Sequence, residues 1–294
     1  MKVLLTGGSG FIGRNLLEYL GPGTTIVAPT SKELDLLDQR AVREYLGLGQ
    51  FDVILHAATA RSNRRMGAAP DLLNRNCRMY FNLVHDPSLF GKMLHLGSGA
   101  EYGRAGLPAR VTETYFDTYI PTDPYGFSKY LCTKHAYTTD NIYVLRLFGV
   151  FGKYEAWDVR FISNACARVV KGLPIVIRQD VRFDYLYISE LAELLAWFLE
   201  HEPRHKAYNV CRGQTYSLVE LAGMVAEASG SNPEIIVRNK TLAAEYSADN
   251  TRMLGEIGGF RFREMSACVR ELYQWYKANA DKIDVERLTF DDSE

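Results

Sequence analysis

Short apolar blocks alternate with stretches of helical spacing along the first half of this chain. Lys2 to Thr6 has an apolar centre with no polar alternation, which predicts a central parallel strand buried on both faces. Phe11, Ile12, Leu16, Leu17 and Leu20 then recur at helical spacing, and Gly21-Pro22-Gly23 stops that helix. The same reading predicts strands over Thr24 to Ala28, Asp52 to Leu55, Lys92 to Leu96 and Ile142 to Leu147. Between them it predicts helices over Gln39 to Leu46, Asp71 to Val84 and Tyr125 to Thr138. Strands and helices alternating at this interval form βαβ units, so the fold class is α/β with a doubly wound parallel sheet.

The rhythm changes after about Gly152. A helix over Arg160 to Val170 precedes short strands at Ile175 to Ile177 and Asp184 to Ile188. Ser189 is expected to cap an apolar helix reaching about Leu199. A strand at Tyr208 to Cys211, a helix near Leu218 to Ala228, a strand near Ile235 to Val237 and a helix near Met265 to Ala278 follow. The Asp291 to Glu294 tail is polar. No repeat or low-complexity linker separates the halves, so two lobes sharing a cleft are expected. One spans 1–155 with returning segments near 183–211; the other is mainly 156–294.

Composition narrows the class. Hydrophobic residues make up 47% and charged residues 23% of the 294, the balance of a soluble globular protein. The net charge of −1 offers no global field for nucleic acid or an anionic membrane, so an anionic ligand needs a local cluster. Cys77, Cys132, Cys166, Cys211 and Cys268 are odd in number, scattered and without CxxC spacing. They read as reduced thiols of a cytoplasmic protein, with no metal site. The MKVLLTGG start is too short for a signal peptide core, and no stretch approaches the roughly 20 apolar residues of a membrane span.

Chemistry enters with Thr6-Gly7-Gly8-Ser9-Gly10-Phe11-Ile12-Gly13. Gly7, Gly10 and Gly13 stand between a buried strand and a helix. Small residues there let the backbone turn tightly and approach a pyrophosphate, while the first amides of the helix hold its charge. This predicts a dinucleotide lobe of the Rossmann type, with Gly7, Gly10, Phe11, Ile12 and Gly13 in contact. An acidic residue at the end of the second strand would select NAD, and none precedes Glu33. Thr30, Ser31, Lys32 and Arg14 are instead candidates for a 2′-phosphate, which favours NADP over NAD. Asp35 and Leu36 fall where adenine would lie.

Ser98, Tyr125 and Lys129 supply the second signal. Lys129 is one helical turn after Tyr125, so both share one helix face. Hydride transfer on an alcohol or ketone needs a proton taken or given. A phenol does this once its pKa of roughly 10 is brought down by a neighbouring ammonium. Ser98 falls at the end of the fourth strand, where ligands sit in such sheets, and would polarise the substrate oxygen.

These motifs resemble the extended short-chain dehydrogenase/reductase family, NAD(P)-dependent sugar-nucleotide epimerases, dehydratases and reductases. TGGSGFIG resembles its cofactor loop, and His56-Ala57-Ala58-Thr59 its third-strand turn. Asn76 resembles its helix asparagine, GSGAEYG its serine segment and YGFSK its tyrosine–lysine segment. Arg146 to Gly152 is similar to its strand-five exit, Arg182 to Glu190 to its RDFxxVxD segment, and Tyr208-Asn209-Val210 to its YNV segment. The resemblance implies that Ala57, Ala58 and Asn76 line the cofactor, alongside Tyr125 and Lys129. It implies a nucleoside diphosphate sugar as substrate, with Arg182 and Arg252 on its pyrophosphate and Asn164 and the Trp157 to Phe161 region lining its pocket. A salt bridge from Arg182 to Asp184 or Glu190 is the structural alternative. A homodimer paired through helices carrying Leu72, Leu73, Met79, Leu131 and Ala136 is also implied; these residues equally suit the core.

Departures from the family pattern narrow the reaction. The 4,6-dehydratases carry acids where this chain has Gly99 and Ala100, and Glu101 comes one place too late. The 3,5-epimerase step of GDP-fucose synthases needs a cysteine and a histidine where this chain has Ala100 and Arg160. What remains is oxidoreduction at C4, either reduction of a 4-keto sugar nucleotide or C4 epimerisation. A non-catalytic dinucleotide-binding protein would usually lack the tyrosine or lysine, and a reductase of small ketones would not need Arg182. The loop from Thr59 to Pro70, with Arg61, Arg64 and Arg65, carries no assigned role.

Overall fold

The computed structural model describes residues 1–20, 24–60, 71–103 and 106–289. The Gly21-Pro22-Gly23 stop, Arg61, Arg64, Arg65 and the Asp291 to Glu294 tail lie outside these residues. The first half runs β1 (Lys2–Thr6), α1 (Phe11–Tyr19), β2 (Thr25–Val27), α2 (Gln39–Gly49), β3 (Phe51–His56), α3 (Leu72–Leu83), β4 (Phe90–Ser98), α4 (Pro124–Ala136) and β5 (Ile142–Leu147). Next come β6 (Gly149–Phe151), α5 (Phe161–Val170), β7 (Ile175–Gln179), β8 (Arg182–Tyr187), α6 (Ile188–Glu200) and β9 (Ala207–Val210). The last elements are β10 (Thr215–Ser217), α7 (Leu218–Ser229), β11 (Ile235–Asn239), α8 (Thr251–Ile257), α9 (Met265–Ala278) and α10 (Val285–Thr289).

Six parallel strands form the central sheet in the order β2-β1-β3-β4-β5-β9. Alternate residues of each strand feed two different cores, which is why the strands read as continuous apolar runs. Val3, Leu5, Val53, Leu55, Leu94, Leu96 and Leu145 pack on one face with Leu16 of α1 and Leu191 and Leu195 of α6. Leu4, Ile54, Met93 and Val144 pack on the other with Val42, Tyr80 and Ala136 of α2, α3 and α4. The first of these cores continues into α5, α7 and α9. A three-stranded sheet β10-β8-β6 and a parallel pair β11-β7 complete the second half.

Four departures from the sequence reading have local causes. Ser189 is not the cap of α6: Tyr187 holds that position, and the Glu190 carboxylate accepts its N–H at 3.1 Å. Strand β4 starts at Phe90 rather than Lys92, because Phe90 pairs with Phe51 of β3. The three-residue strands β6 and β10 and the short helices α8 and α10 carry no periodic signal of their own. Leu72 and Ala136 are core residues rather than surface, at 3% and 0% exposure.

One buried acid makes stability depend on pH. Glu155 lies in the turn between β6 and α5, where its carboxylate accepts the Ser163 hydroxyl at 2.7 Å. Burial raises its pKa from 4.5 to about 7, against the opposing pull of Ser163 and Arg160. The folded state therefore holds this proton more tightly than the unfolded state. Stability from this group is greatest below about pH 4.5 and falls as pH rises through about 7. Glu155→Gln is expected to be the more stable protein at pH 8, by about 3 kcal/mol, with the difference vanishing towards pH 4. Urea unfolding of both proteins across that range checks it; a gap that does not change with pH contradicts it.

Candidate active site

The glycine loop folds as a cradle with no room for a side chain at Gly7 or Gly13. Gly7 has φ +76°, in the left-handed region that favours glycine. A β-carbon there would stand 2.7 Å from the Ala58 amide nitrogen, and one on Gly13 only 2.2 Å from the Gly7 carbonyl oxygen. The Gly10 amide closes the turn onto the Gly7 carbonyl at 2.9 Å and Gly10 then caps α1. No side chain caps α1, and its first turn has no acid, so the amides of Phe11, Ile12 and Gly13 are offered to an anion. The loop follows β1, and Ala57 and Ala58 follow β3. The sheet changes direction here, because β2 and β3 flank β1, and ligands bind at this kind of crevice.

Thr6 ties the two loops together. Its hydroxyl lies 2.7 Å from Nδ1 of His56 and accepts the Ala58 N–H at 3.4 Å. Burial, with a smaller push from the Lys129 charge, drives the His56 pKa down to about 3, so its imidazole is neutral. A dinucleotide fits this cradle by the absence of β-carbons and the free helix amides.

The exit of β2 differs from the sequence expectation. Thr30 donates both its N–H and its hydroxyl to one Glu33 carboxylate oxygen, at 2.7 and 2.9 Å. These bonds hold the Glu33 carboxyl below its usual range, the amide contributing most. A carboxylate therefore does reach this strand end. Its signal in the sequence is the T-x-x-E spacing of a capping box. Arg14 turns elsewhere and stacks on Tyr154, 3.8 Å from the ring centre. Lys32 is exposed and has no ion-pair partner among the described residues. Asp35 accepts the Leu37 N–H at 2.9 Å, and the Leu36 carbonyl is pinned by Asn82 of α3 at 2.8 Å.

Tyr125 and Lys129 are fixed by the start of α4. Asp123 caps that helix through the Gly126 N–H at 2.8 Å, and Pro124 opens it. Lys129 is buried and donates from Nζ to the Leu96 carbonyl of β4 at 2.6 Å. A β-carbon on Gly126 would stand 2.6 Å from the Ala100 carbonyl oxygen, so the Tyr125 turn packs against the chain leaving Ser98. Asn76 bridges the remaining gap. Its Oδ1 accepts the Ala60 N–H at 2.7 Å, and its Nδ2 donates to the Ser128 hydroxyl at 3.3 Å. Ser128 in turn donates to the Tyr125 carbonyl at 2.7 Å. The start of α4, with Tyr125 and Lys129, thus packs on the end of β4 where Ser98 lies, and Asn76 ties it to the turn after β3.

Half-buried rings wall this end of the sheet. Phe148 lies 5.1 Å from Tyr246, which lies 5.5 Å from Phe183. A β-carbon on Gly99 would stand 2.4 Å from the Tyr246 hydroxyl and 2.7 Å from Phe148. Glu101, two residues on, turns inward and pairs with Arg146 at 3.1 Å, both side chains 0% exposed. Sequence reading assigned no role to Phe148, Tyr246 or this pair; the apolar run around Arg146 in β5 was the available clue to an arginine in the core.

The expected substrate residues are not all here. Arg182 does not pair with Asp184 or Glu190. It donates to the Thr215 hydroxyl and carbonyl at 3.2 and 2.9 Å and pairs with Glu220 at 3.3 Å, while remaining partly exposed. Asp184 is taken by the Arg212 and Gly213 amides, and Glu190 by Arg212. Asn164 on α5 accepts from Arg168 at 2.9 Å. Arg252 lies apart, donating at 3.0 Å to the carbonyl of Ala207, the residue at the opposite end of β9 from its carboxyl terminus. Its other neighbour is Glu113, at 3.6 Å. All five cysteines are free thiols. Among the described residues no helix is long and apolar enough to cross a membrane.

Comparison with known proteins agrees with this fold. The model of the NAD dependent epimerase/dehydratase family matches residues 3–211. A probable dTDP-glucose 4,6-dehydratase of Sinorhizobium fredii is 25% identical over 332 aligned positions, covering 95% of this chain and 93% of that one. GDP-L-fucose synthase of Escherichia coli is 25% identical over 317 positions, covering 96% of this chain and 98% of that one. The NADP-bound structure of a GDP-mannoheptose C4 reductase from Campylobacter jejuni superposes with a TM-score of 0.78 at 20% identity, covering 94% of this chain and 98% of that one.

Proposed function

The chain belongs to the NAD dependent epimerase/dehydratase family, and on that premise we propose that it catalyses NAD(P)-dependent oxidoreduction at C4 of a nucleoside diphosphate sugar. The observation that supports the reading is the docking of the Tyr125–Lys129 turn on the end of β4, through the Lys129 bond to the Leu96 carbonyl and the close approach of Gly126 to Ala100. A nicotinamide coenzyme held by Gly7, Gly10 and Gly13 would supply or accept the hydride at the sugar carbon. Tyr125 exchanges the proton of the C4 oxygen. The Lys129 ammonium, anchored on the Leu96 carbonyl, stands one helical turn after Tyr125 on α4. Ser98 donates to the same oxygen. Arg182, partly exposed at the start of β8, meets the pyrophosphate, and Asn164 lines the pocket. Arg252 has no part in this reading.

Reduction of a 4-keto sugar is the favoured direction. Lys32 at the β2 exit supports NADP over NAD. The Tyr246 and Phe148 rings fill the space over Gly99, so no acid for an elimination step fits there. The Glu33 carboxylate on Thr30 favours a second reading, a C4 epimerase that keeps NAD bound. The coenzyme lobe is 1–155 with returning segments near 183–211, and the substrate lobe is mainly 156–294. Two copies pair through α3 and α4, where Leu73, Met79 and Leu131 are half-buried and Phe81 is exposed.

The test is a panel of 4-keto and C4-hydroxyl sugars on UDP, GDP, dTDP and CDP, each with NADPH or NADH. A reductase consumes NADPH in step with the appearance of a C4 alcohol. Interconversion of C4 epimers with no net use of added coenzyme selects the second reading. No turnover of any member overturns both.

A further inference from the structure

Glu101 is fully buried, yet its carboxylate is one hydrogen bond from Ser98. Its Oε1 accepts the Ser98 N–H at 3.1 Å. Its Oε2 lies 3.1 Å from Nε of Arg146. The Arg146 guanidinium is held between two rings, 5.0 Å from the centre of Tyr102 and 4.6 Å from that of Phe116. Tyr102 is fixed in turn, donating to Asn209 of β9 at 2.7 Å. Space for the carboxylate comes from Gly97, where a β-carbon would stand 2.6 Å from Oε1. Gly97 and Arg146 are direct neighbours across β4 and β5.

We propose that Glu101 is a positioning residue for Ser98. It clamps the last residue of β4 so that the serine hydroxyl can only donate outward. A serine hydroxyl has one donor and two acceptor sites. The Ala100 N–H occupies an acceptor site of Ser98 at 3.2 Å, and this contact exists because the chain turns into a one-turn helix at Gly99–Tyr102. That turn is closed by Glu101 reaching back to the Ser98 amide. The Ser98 proton has no acceptor among the described residues, which leaves it for a ligand oxygen. Arg146 neutralises the carboxylate, so the clamp adds no net charge at the end of β4.

The inference rests on the C4 oxidoreduction reading of this site, and the experiment separates the two. Two double variants replace the ion pair: Glu101→Gln/Arg146→Met keeps an oxygen that accepts the Ser98 N–H, and Glu101→Leu/Arg146→Met does not. Apolar replacement of a buried ion pair is compatible with folding. The Gln variant is expected to retain kcat within about threefold, and the Leu variant to lose about tenfold or more, with both KM values unchanged. Adding Ser98→Ala to the Leu variant lowers kcat no further, because both changes remove one interaction. Equal kcat in the two variants, or losses that multiply with Ser98→Ala, overturns the proposal. Ser98→Ala alone decides about the site: if it leaves kcat intact, the role of Ser98 fails and the clamp with it. If it lowers kcat while the Leu variant stays active, only the clamp fails. Amide exchange on the unaltered chain is a second measurement that needs neither variant nor substrate. The Ser98 amide should be protected like the β4 ladder, and exchange at loop rates overturns the proposal.

Discussion

Tyr125→Phe is expected to lower turnover by about 10²–10⁴-fold, the range in which a positioned proton donor contributes to a reaction. Coenzyme affinity should hardly change. The ring remains, and the elements that fix it do not involve the phenol oxygen: the Asp123 cap, the Gly126 contact with Ala100 and the Lys129 bond to Leu96. Lys129 keeps its carbonyl anchor in the variant, so the helix face stays in place. Steady-state rates with the accepted sugar nucleotide, together with fluorescence titration of NADPH, separate the two effects. Turnover near the wild-type level would remove Tyr125 from the proton transfer. A parallel loss of coenzyme binding would assign it to the cofactor pocket instead.

Gly13→Val should abolish coenzyme binding while sparing the second half of the molecule. The added β-carbon would stand 2.2 Å from the Gly7 carbonyl oxygen and 2.6 Å from the Gly8 α-carbon. Both are backbone atoms in the turn itself, so no side chain can swing away to make room. The cradle must open, and the amides of Phe11 and Ile12 then no longer converge. Hydrogen bonds to a charged group contribute about 1.5–3 kcal/mol each, so losing two of them corresponds to about 10²–10⁴ in affinity. Titration with NADPH and with NAD checks this; binding within tenfold of wild type would mean that the pyrophosphate sits elsewhere.

Much of this architecture was legible in sequence because burial and pattern coincide. Strands β1 and β5 and helix α9 fall on their expected bounds, since their apolar runs are complete and their ends are marked by turn or polar residues. The glycine loop and the Tyr125–Lys129 pair were equally legible, because backbone sterics and helical spacing act over a few residues. What escaped depends on contacts between distant segments. The three-residue strands β6 and β10 exist only by pairing with β8. Glu33 seemed too late to matter until the chain folded back to Thr30. Arg146 sits in a strand that is otherwise apolar, and its partner Glu101 is 45 positions away in the sequence. The partners of Arg182, Thr215 and Glu220, come from β10 and α7, which no local pattern ties to it.

The central claim is that a coenzyme in the glycine cradle exchanges hydride with C4 of a nucleotide sugar held against Ser98 and Tyr125. Isotope transfer tests it most directly: NADPH carrying transferable deuterium on the nicotinamide is incubated with the 4-keto sugar nucleotide that the panel turns over, and the product is read by NMR. The account predicts one deuterium, bonded to C4 of the sugar. Deuterium on any other carbon, or an alcohol formed at C4 without the label, would contradict it.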